Sequence, residues 1–245
     1  MRIVTLNTWC GKLFDELLPF LKEKSHDTDV FCFQEVLDNK PGVKSAVFKD
    51  GKEDLVAQMK EALPDFVGYS AIPQENERGL ATFVKSDFTV EHHEDQYVYG
   101  SKGTMVDNNW STIGINMLYT RIRAEETYHI WNLHGAFVAP DKMDYPKTLE
   151  QAKNIRNIVG NTEGKRILCG DFNLDPTTES MRIIESIPLR NLVKEYKISS
   201  TRTKYYTLPS QFADYIMPSS EVNVNGFGVL DSVVSDHFPL WADIN

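Results

Sequence analysis

At 245 residues, with 41% hydrophobic and 25% charged positions, the chain has the composition of a globular protein that buries a sizeable core, and long disorder is not expected. Its 26 Lys and Arg against 35 Asp and Glu give a net charge of -9, which opposes a general polyanion-coating role, although carboxylates gathered around a divalent cation would inflate the same count. Cys10, Cys32 and Cys169 form no CxxC pair and leave an odd thiol, which argues against a zinc site or a disulfide framework. With no apolar leader and no run approaching the ~18–20 residues of a membrane span, a cytoplasmic protein without stable membrane association is expected.

Taken in chain order, period-two or continuously apolar runs predict strands over 2–6, 28–34, 66–71, 79–85, 112–122, 127–134, 165–170, 212–217 and 238–244. Helical stripes predict helices over 15–24, with Pro19 placed in a first turn, over 52–63, stopped by Pro64, and over 146–159, opened by Pro146. Irregular polar stretches at 36–52, 91–111, 135–146 and 196–211 are long for connections and are expected to be binding loops. Strands outnumber helices without regular alternation. One α/β domain over 1–245 is therefore expected, with mixed, largely antiparallel sheets covered by helices.

Several of these strands end abruptly in a polar side chain. Ile3 to Leu6 hands over to Asn7, Val30 to Phe33 leads to Glu35, Ile130 to Leu133 ends at His134, and Ile167 to Cys169 runs through Gly170 to Asp171 and Asn173. Packing alone would not choose such endings, because an unpaired buried polar group costs about 2–7 kcal/mol on transfer scales. Glu35 offers the hard oxygen that a magnesium ion prefers, and the Asn7 carboxamide could hold a phosphate oxygen. Asp171 and Asn173 sit two apart and face the same side, which suits a site as well as a plain Asx turn. Asp214 interrupts the apolar run 212–217 and calls for a buried partner, for which an imidazole is natural. Ser235-Asp236-His237 places a carboxylate beside the commonest acid/base side chain, and His134 could donate to a transition-state oxygen.

In order, Leu6-Asn7-Thr8-Trp9, Gln34-Glu35-Val36, Asn132-Leu133-His134, Gly170-Asp171-Phe172-Asn173, Ala213-Asp214-Tyr215-Ile216 and Ser235-Asp236-His237 resemble the endonuclease/exonuclease/phosphatase superfamily, the deoxyribonuclease-I-like group, over nearly the whole chain. The resemblance implies a four-layer α/β sandwich and metal-dependent hydrolysis of a phosphate ester. It implies Glu35, Asp236 and Asn7 as ligands of Mg2+, with Mn2+ as a substitute. It gives His134, Asp171, Asn173, Asp214 and His237 catalytic roles: Asp214 orients His237, Asp171 aligns or deprotonates the water, and Asn173 and His134 donate to the phosphate. The base role is left open between Asp171 and His237.

Trp9 stands where abasic-site endonucleases carry an aspartate, and His134 where they carry a tyrosine, which points away from that repair chemistry. Glu77 is a further candidate partner for His134. Nucleic acid is the first substrate expectation, on Lys40, Lys44, Lys49 and Lys52 with Phe48, on Thr201-Arg202-Thr203-Lys204-Tyr205-Tyr206, and on Trp110 and Arg78 as further substrate contacts with Asn7 and Asn173. A phosphatase, a sphingomyelinase-like phosphodiesterase and an inactive metal- or nucleic-acid-binding member are the alternatives, and a monomer is expected.

Overall fold

The computed structural model describes residues 1–39, 50–73, 78–102 and 114–245. Lys40, Lys44, Phe48, Lys49, Glu77 and Trp110 lie outside the described residues. One sheet has the order β10 (Val224–Val229), β11 (Leu240–Ile244), β1 (Arg2–Asn7), β2 (Val30–Val36), β4 (Gly79–Lys85), β3 (Phe66–Ala71). The second has the order β5 (Thr89–Tyr99), β6 (Ile115–Arg123), β7 (Thr127–His134), β8 (Lys165–Asp171), β9 (Asp214–Pro218). Only β1 with β2 and β7 with β8 are parallel pairs; every other named pairing is antiparallel. Parallel neighbours need a crossover, supplied by α1 (Phe14–Lys24) and α3 (Pro146–Gly160).

Strand alternation builds the layers. Val4, Leu6, Phe31, Phe33 and Phe83 face outward against Leu17, Phe20 and Leu21 of α1 and Leu55, Val56 and Met59 of α2 (Leu55–Ala62). Their neighbours Ile3, Val30, Cys32 and Val84 face inward and join the second sheet's core, which α3, α4 (Glu179–Glu185) and α5 (Leu192–Glu195) complete. Helices, sheet, sheet and helices make the α/β sandwich that the sequence suggested.

Asn132 fastens the two sheets together from a fully buried position. Its Oδ1 accepts from Gln34 Nε2 at 2.7 Å, and its Nδ2 donates to the Phe33 and Ala81 carbonyls, each at 3.0 Å. Asn132→Leu takes this donor from two buried carbonyls on the opposite sheet and this acceptor from Gln34 Nε2, which keeps Thr5 Oγ1 and the Cys32 carbonyl, each at 3.0 Å. It is expected to lower unfolding free energy by about 3–5 kcal/mol in urea titration, since each such group costs about 1–3 kcal/mol.

Two strands and two helices were missed. β5 falls in the stretch 91–111 that polarity marked as a loop: it is an edge strand whose Glu91 to Gln96 are largely exposed or half-buried, so no apolar alternation marks it. β10 carries Gly226 and Gly228, which punctuate the sequence like turn residues, yet a Cβ at either would press on the Trp241 ring at 3.0 and 3.1 Å. Helices α4 and α5 span only 7 and 4 residues, too short for a periodic signal. Pro19 lies beyond the first turn of α1, which begins at Phe14, so it removes one internal helix hydrogen bond.

Candidate active site

The carboxyl ends of the two parallel pairs meet at one edge of the sandwich, and the ends of such strands are where α/β sheets open a crevice. Asn7, Glu35, His134 and Asp171 lie at or beside the last residue of β1, β2, β7 and β8. Asp214, the first residue of antiparallel β9, stands in register with Asp171, and Asp171 with His134. Asp236 and His237 precede β11, which runs antiparallel to β1 and therefore starts at the same edge. Gly170, at φ +129, permits the close approach of β7 and β8, since a Cβ there would meet the Leu133 carbonyl oxygen at 2.1 Å. A cleft of about 520 Å³ results, lined by Glu35, His134, Asp171, Asn173, Asp236 and His237 together with Trp9, Arg78, Phe137, Lys142, Arg202 and Tyr206.

Behind the cleft wall, His237 Nδ1 lies 2.8 and 2.9 Å from the two oxygens of Asp214, a contact that only Nδ1–H can make with a carboxylate. Thr201 Oγ1 donates to the same carboxylate at 2.7 Å. Arg202 Nη1 donates to His237 Nε2, so that nitrogen carries the lone pair and faces the cleft. Burial lowers the His237 pKa, but the Asp214 and Asp171 carboxylates outweigh it and hold it above the ordinary imidazole value. His134 goes the other way: burial and the Arg78 guanidinium prevail over Glu35 and Asp171, and its pKa is lowered.

Asp171 is fixed on both oxygens. Oδ1 accepts the Asn173 N–H at 2.9 Å, the Asx bond that a turn reading foresaw, and Oδ2 accepts Asn7 Nδ2 at 2.9 Å. Oδ2 also lies 3.6 Å from His237 Nε2 and 3.9 Å from His134 Nε2. Burial opposes its charge, yet His237, Lys142, His134 and Arg202 hold its pKa well below the usual carboxylate range.

Glu35 and Asp236 open their carboxylates on the same cleft. Arg78 Nη1 sits 2.7 Å from Glu35 Oε1, His134 Nε2 is 3.5 Å from that oxygen, and the Cys10 thiol lies 3.7 Å from Oε2. Burial would raise the Glu35 pKa, but Arg78, His134 and His237 bring it to about 2. Asp236 is raised, first by burial and then by Glu35 and Asp171, which prevail over His237 and Arg202. Two hard carboxylates that repel one another across a cleft suit a divalent cation, which would relieve that repulsion. Asp171, Asp214 and His237 also bring ligand atoms within 4.8 Å of one another. That trio is better used as a proton relay, because Asp214 already accepts from His237 and Thr201.

The raised Asp236 pKa has a stability consequence. Its charge costs stability at every pH above both the folded and the unfolded pKa, and the cost fades on acidification as the folded carboxyl protonates. In metal-free protein at pH 7, Asp236→Asn is therefore expected to raise Tm. Wild type should gain roughly 5–10 °C at a hundredfold excess of Mg2+ over Kd, and the variant should lose that gain in a thermal-shift titration.

Not every expected residue is placed for the role expected of it. Asn7 is buried with its amide spent, Nδ2 on Asp171 and Oδ1 accepting the Trp9 N–H at 3.0 Å, so it positions its neighbours. Asn173 was expected to donate to phosphate. Its Nδ2 donates instead to the Gly135 carbonyl at 2.9 Å and its Oδ1 accepts from Lys142 Nζ. Arg78, expected to touch substrate, pairs with Glu35. Lys142 received no role from the sequence, and Arg202 and Tyr206 only places in a run of basic and aromatic residues. Backbone strain would have marked Lys142: of the positive-φ non-glycine residues described, Trp9, Glu35, Lys142 and Asn173 line the cleft and Cys10 touches Glu35. No periodicity in sequence reports that conformation.

A model of the "Endonuclease/Exonuclease/phosphatase family" matches residues 4–237. No curated protein matches the chain. Among solved structures, a mannosyl-6-phosphatase of Bacteroides thetaiotaomicron is similar at 17% identity and TM-score 0.75, the match covering 100% of this chain and 99% of that one. A family protein from the same organism is similar at 18% identity and TM-score 0.74, covering 100% and 94%. The human Nocturnin catalytic domain, solved with bound sulfate, is similar at 17% identity and TM-score 0.64, covering 100% and 93%.

Proposed function

We propose, from the premise that the chain belongs to the endonuclease/exonuclease/phosphatase family of phosphoesterase hydrolases, that it hydrolyses a phosphate ester by direct attack of water at phosphorus in the cleft described above. The observation that carries this reading is the Asp214–His237 pair, with a lone pair on Nε2 and Asp171 held alongside at 3.6 Å. Enzymes of this family depend on a divalent metal; Glu35 and Asp236 would hold it here, Mg2+ being the first choice, and it would supply stabilisation of charge on the phosphate oxygens.

His237 Nε2 acts as the base once bound phosphate draws Arg202 Nη1 off that nitrogen, with Asp214 fixing the tautomer in the manner of a nucleophile–base–orienter triad. Asp171 aligns the water, as both its oxygens already accept bonds from Asn173 and Asn7. Water adds to phosphorus, its proton passes to the His237–Asp171 pair, and the bond to the departing alcohol breaks with the electron pair on that oxygen, which takes up a proton. His134, whose Nε2 is 3.9 Å from Asp171 Oδ2, also lines a second cleft that shares Arg78, His134 and Phe137 with the first and gives the alcohol room.

The nucleic-acid reading draws support from the basic run 201–206, but Arg202 and Tyr206 turn into the cleft, leaving only Lys204 and Tyr205 exposed. Turnover of p-nitrophenyl phosphate or bis-p-nitrophenyl phosphate with Mg2+, abolished by a chelator and restored by excess metal, tests the proposal. Protein that binds Mg2+ yet turns over neither ester would be a binder and not an enzyme.

A further inference from the structure

Lys142 and Arg202 are buried cations, 3% and 6% exposed, and among the described residues no carboxylate oxygen forms an ion pair with either. Their contacts are uncharged or cationic. Lys142 Nζ donates to Asn173 Oδ1 and sits 4.4 Å above the Phe137 ring. Arg202 Nη1 donates to His237 Nε2, and its guanidinium lies 3.9 Å over the Tyr206 ring. Arg202 Nε and Tyr206 Oη are buried without any hydrogen-bond partner. Buried charge is ordinarily paired, because leaving water costs several kcal/mol per ion. Two buried cations on one cleft, neither with a carboxylate at ion-pair distance among the described residues, therefore point to an anion that pairs with them directly.

Local structure holds both in place. The Thr201–Thr203 segment pairs with the chain around His237, through Phe238 N to Thr201 O at 2.9 Å and Thr203 N to Asp236 O at 3.1 Å, which sets Arg202 beside the imidazole. Lys142 is kept in the left-handed region at φ 56, with its carbonyl accepting the Asp175 N–H at 2.9 Å. Non-glycine strain of this kind persists where the surroundings over-determine it, and it turns Lys142 Nζ into the cleft, not outward to water.

We propose that Lys142 and Arg202 seat a doubly charged terminal phosphate, so that the substrate class is a phosphate monoester and not an internal phosphodiester. A monoester carries close to two negative charges at neutral pH, its second ionisation lying near pH 6, whereas a diester linkage carries one. This rests on the hydrolase reading above for turnover but not for binding, and the two can fail separately.

The test uses the whole purified chain, with inorganic phosphate as the probe in chelator and the two p-nitrophenyl esters as substrates with Mg2+. Calorimetry should show phosphate bound by metal-free wild type, weakened about 10–100-fold in Lys142→Gln and largely regained in Lys142→Arg, the size expected for losing one charged hydrogen bond. Wild type should favour the monoester over the diester in kcat/KM, and Lys142→Gln and Arg202→Gln should each reduce that ratio about tenfold or more. Circular dichroism and Tm of each variant confirm the fold, and Lys142→Arg keeps the test decisive if Lys142→Gln unfolds. The proposal is overturned if metal-free wild type binds no phosphate, if Lys142→Gln binds it as wild type does, or if the diester is preferred. Loss of turnover on both esters with phosphate binding intact would instead sink the hydrolase reading alone.

Discussion

His237→Ala is expected to lower kcat by about 10³–10⁴, the scale for removing a positioned general base, and to lower Tm as well, since the buried Asp214 carboxylate loses its Nδ1–H partner. Asp214→Asn should come close to it. The Asp214 carboxylate takes Nδ1–H on both oxygens at 2.8 and 2.9 Å, and a carboxamide turned the other way would offer N–H to Nδ1 and move the proton to Nε2, where it blocks the base. Residues that act as a unit are strongly non-additive, so the double variant should be hardly slower than His237→Ala. Independent losses that multiply would show that Asp214 serves another partner. Single-turnover kinetics on p-nitrophenyl phosphate separates this loss from binding.

Asp171→Asn carries the second large effect, a loss of about 10²–10³ in kcat. The variant can keep the Asx bond to Asn173 N–H, but its NH2 group would then meet Asn7 Nδ2, a donor facing a donor, at the position now bridged at 2.9 Å. It would also remove the carboxylate that compensates His237, His134 and Lys142, whose ammonium burial has already pushed down to about 8. Lower Tm together with lower kcat is therefore expected, and urea unfolding alongside the kinetics measures both. Unchanged kcat in a folded Asp171→Asn protein would remove Asp171 from the chemistry.

What the sequence made legible follows the strength of its local signals. Strands β1, β2, β7 and β8 are buried on both faces, so their apolar runs were continuous and their polar ends conspicuous; Glu35, His134 and Asp171 came with them. Asp214 and His237 were paired on the ground that a buried carboxylate needs an imidazole, and the two meet across 23 residues of chain. Lys142 was invisible because Asp141-Lys142-Met143 reads as an ordinary polar turn; only the fold shows that its backbone is left-handed and its ammonium buried. Arg202 stood out only as a member of the run expected to hold nucleic acid, since a basic run gives no hint that some of its members turn inward. Asn7 and Asn173 were assigned to metal and phosphate because a carboxamide can serve either, and sequence cannot say which of its hydrogen bonds are already spent.

Turnover in H2¹⁸O tests the central claim most directly. With Mg2+ present, one ¹⁸O atom is expected in the phosphate-bearing product and none in the released p-nitrophenol, with the reaction lost on chelation and in His237→Ala. Label in p-nitrophenol, or hydrolysis that survives both chelator and the His237 substitution, would contradict attack of water at phosphorus in this cleft.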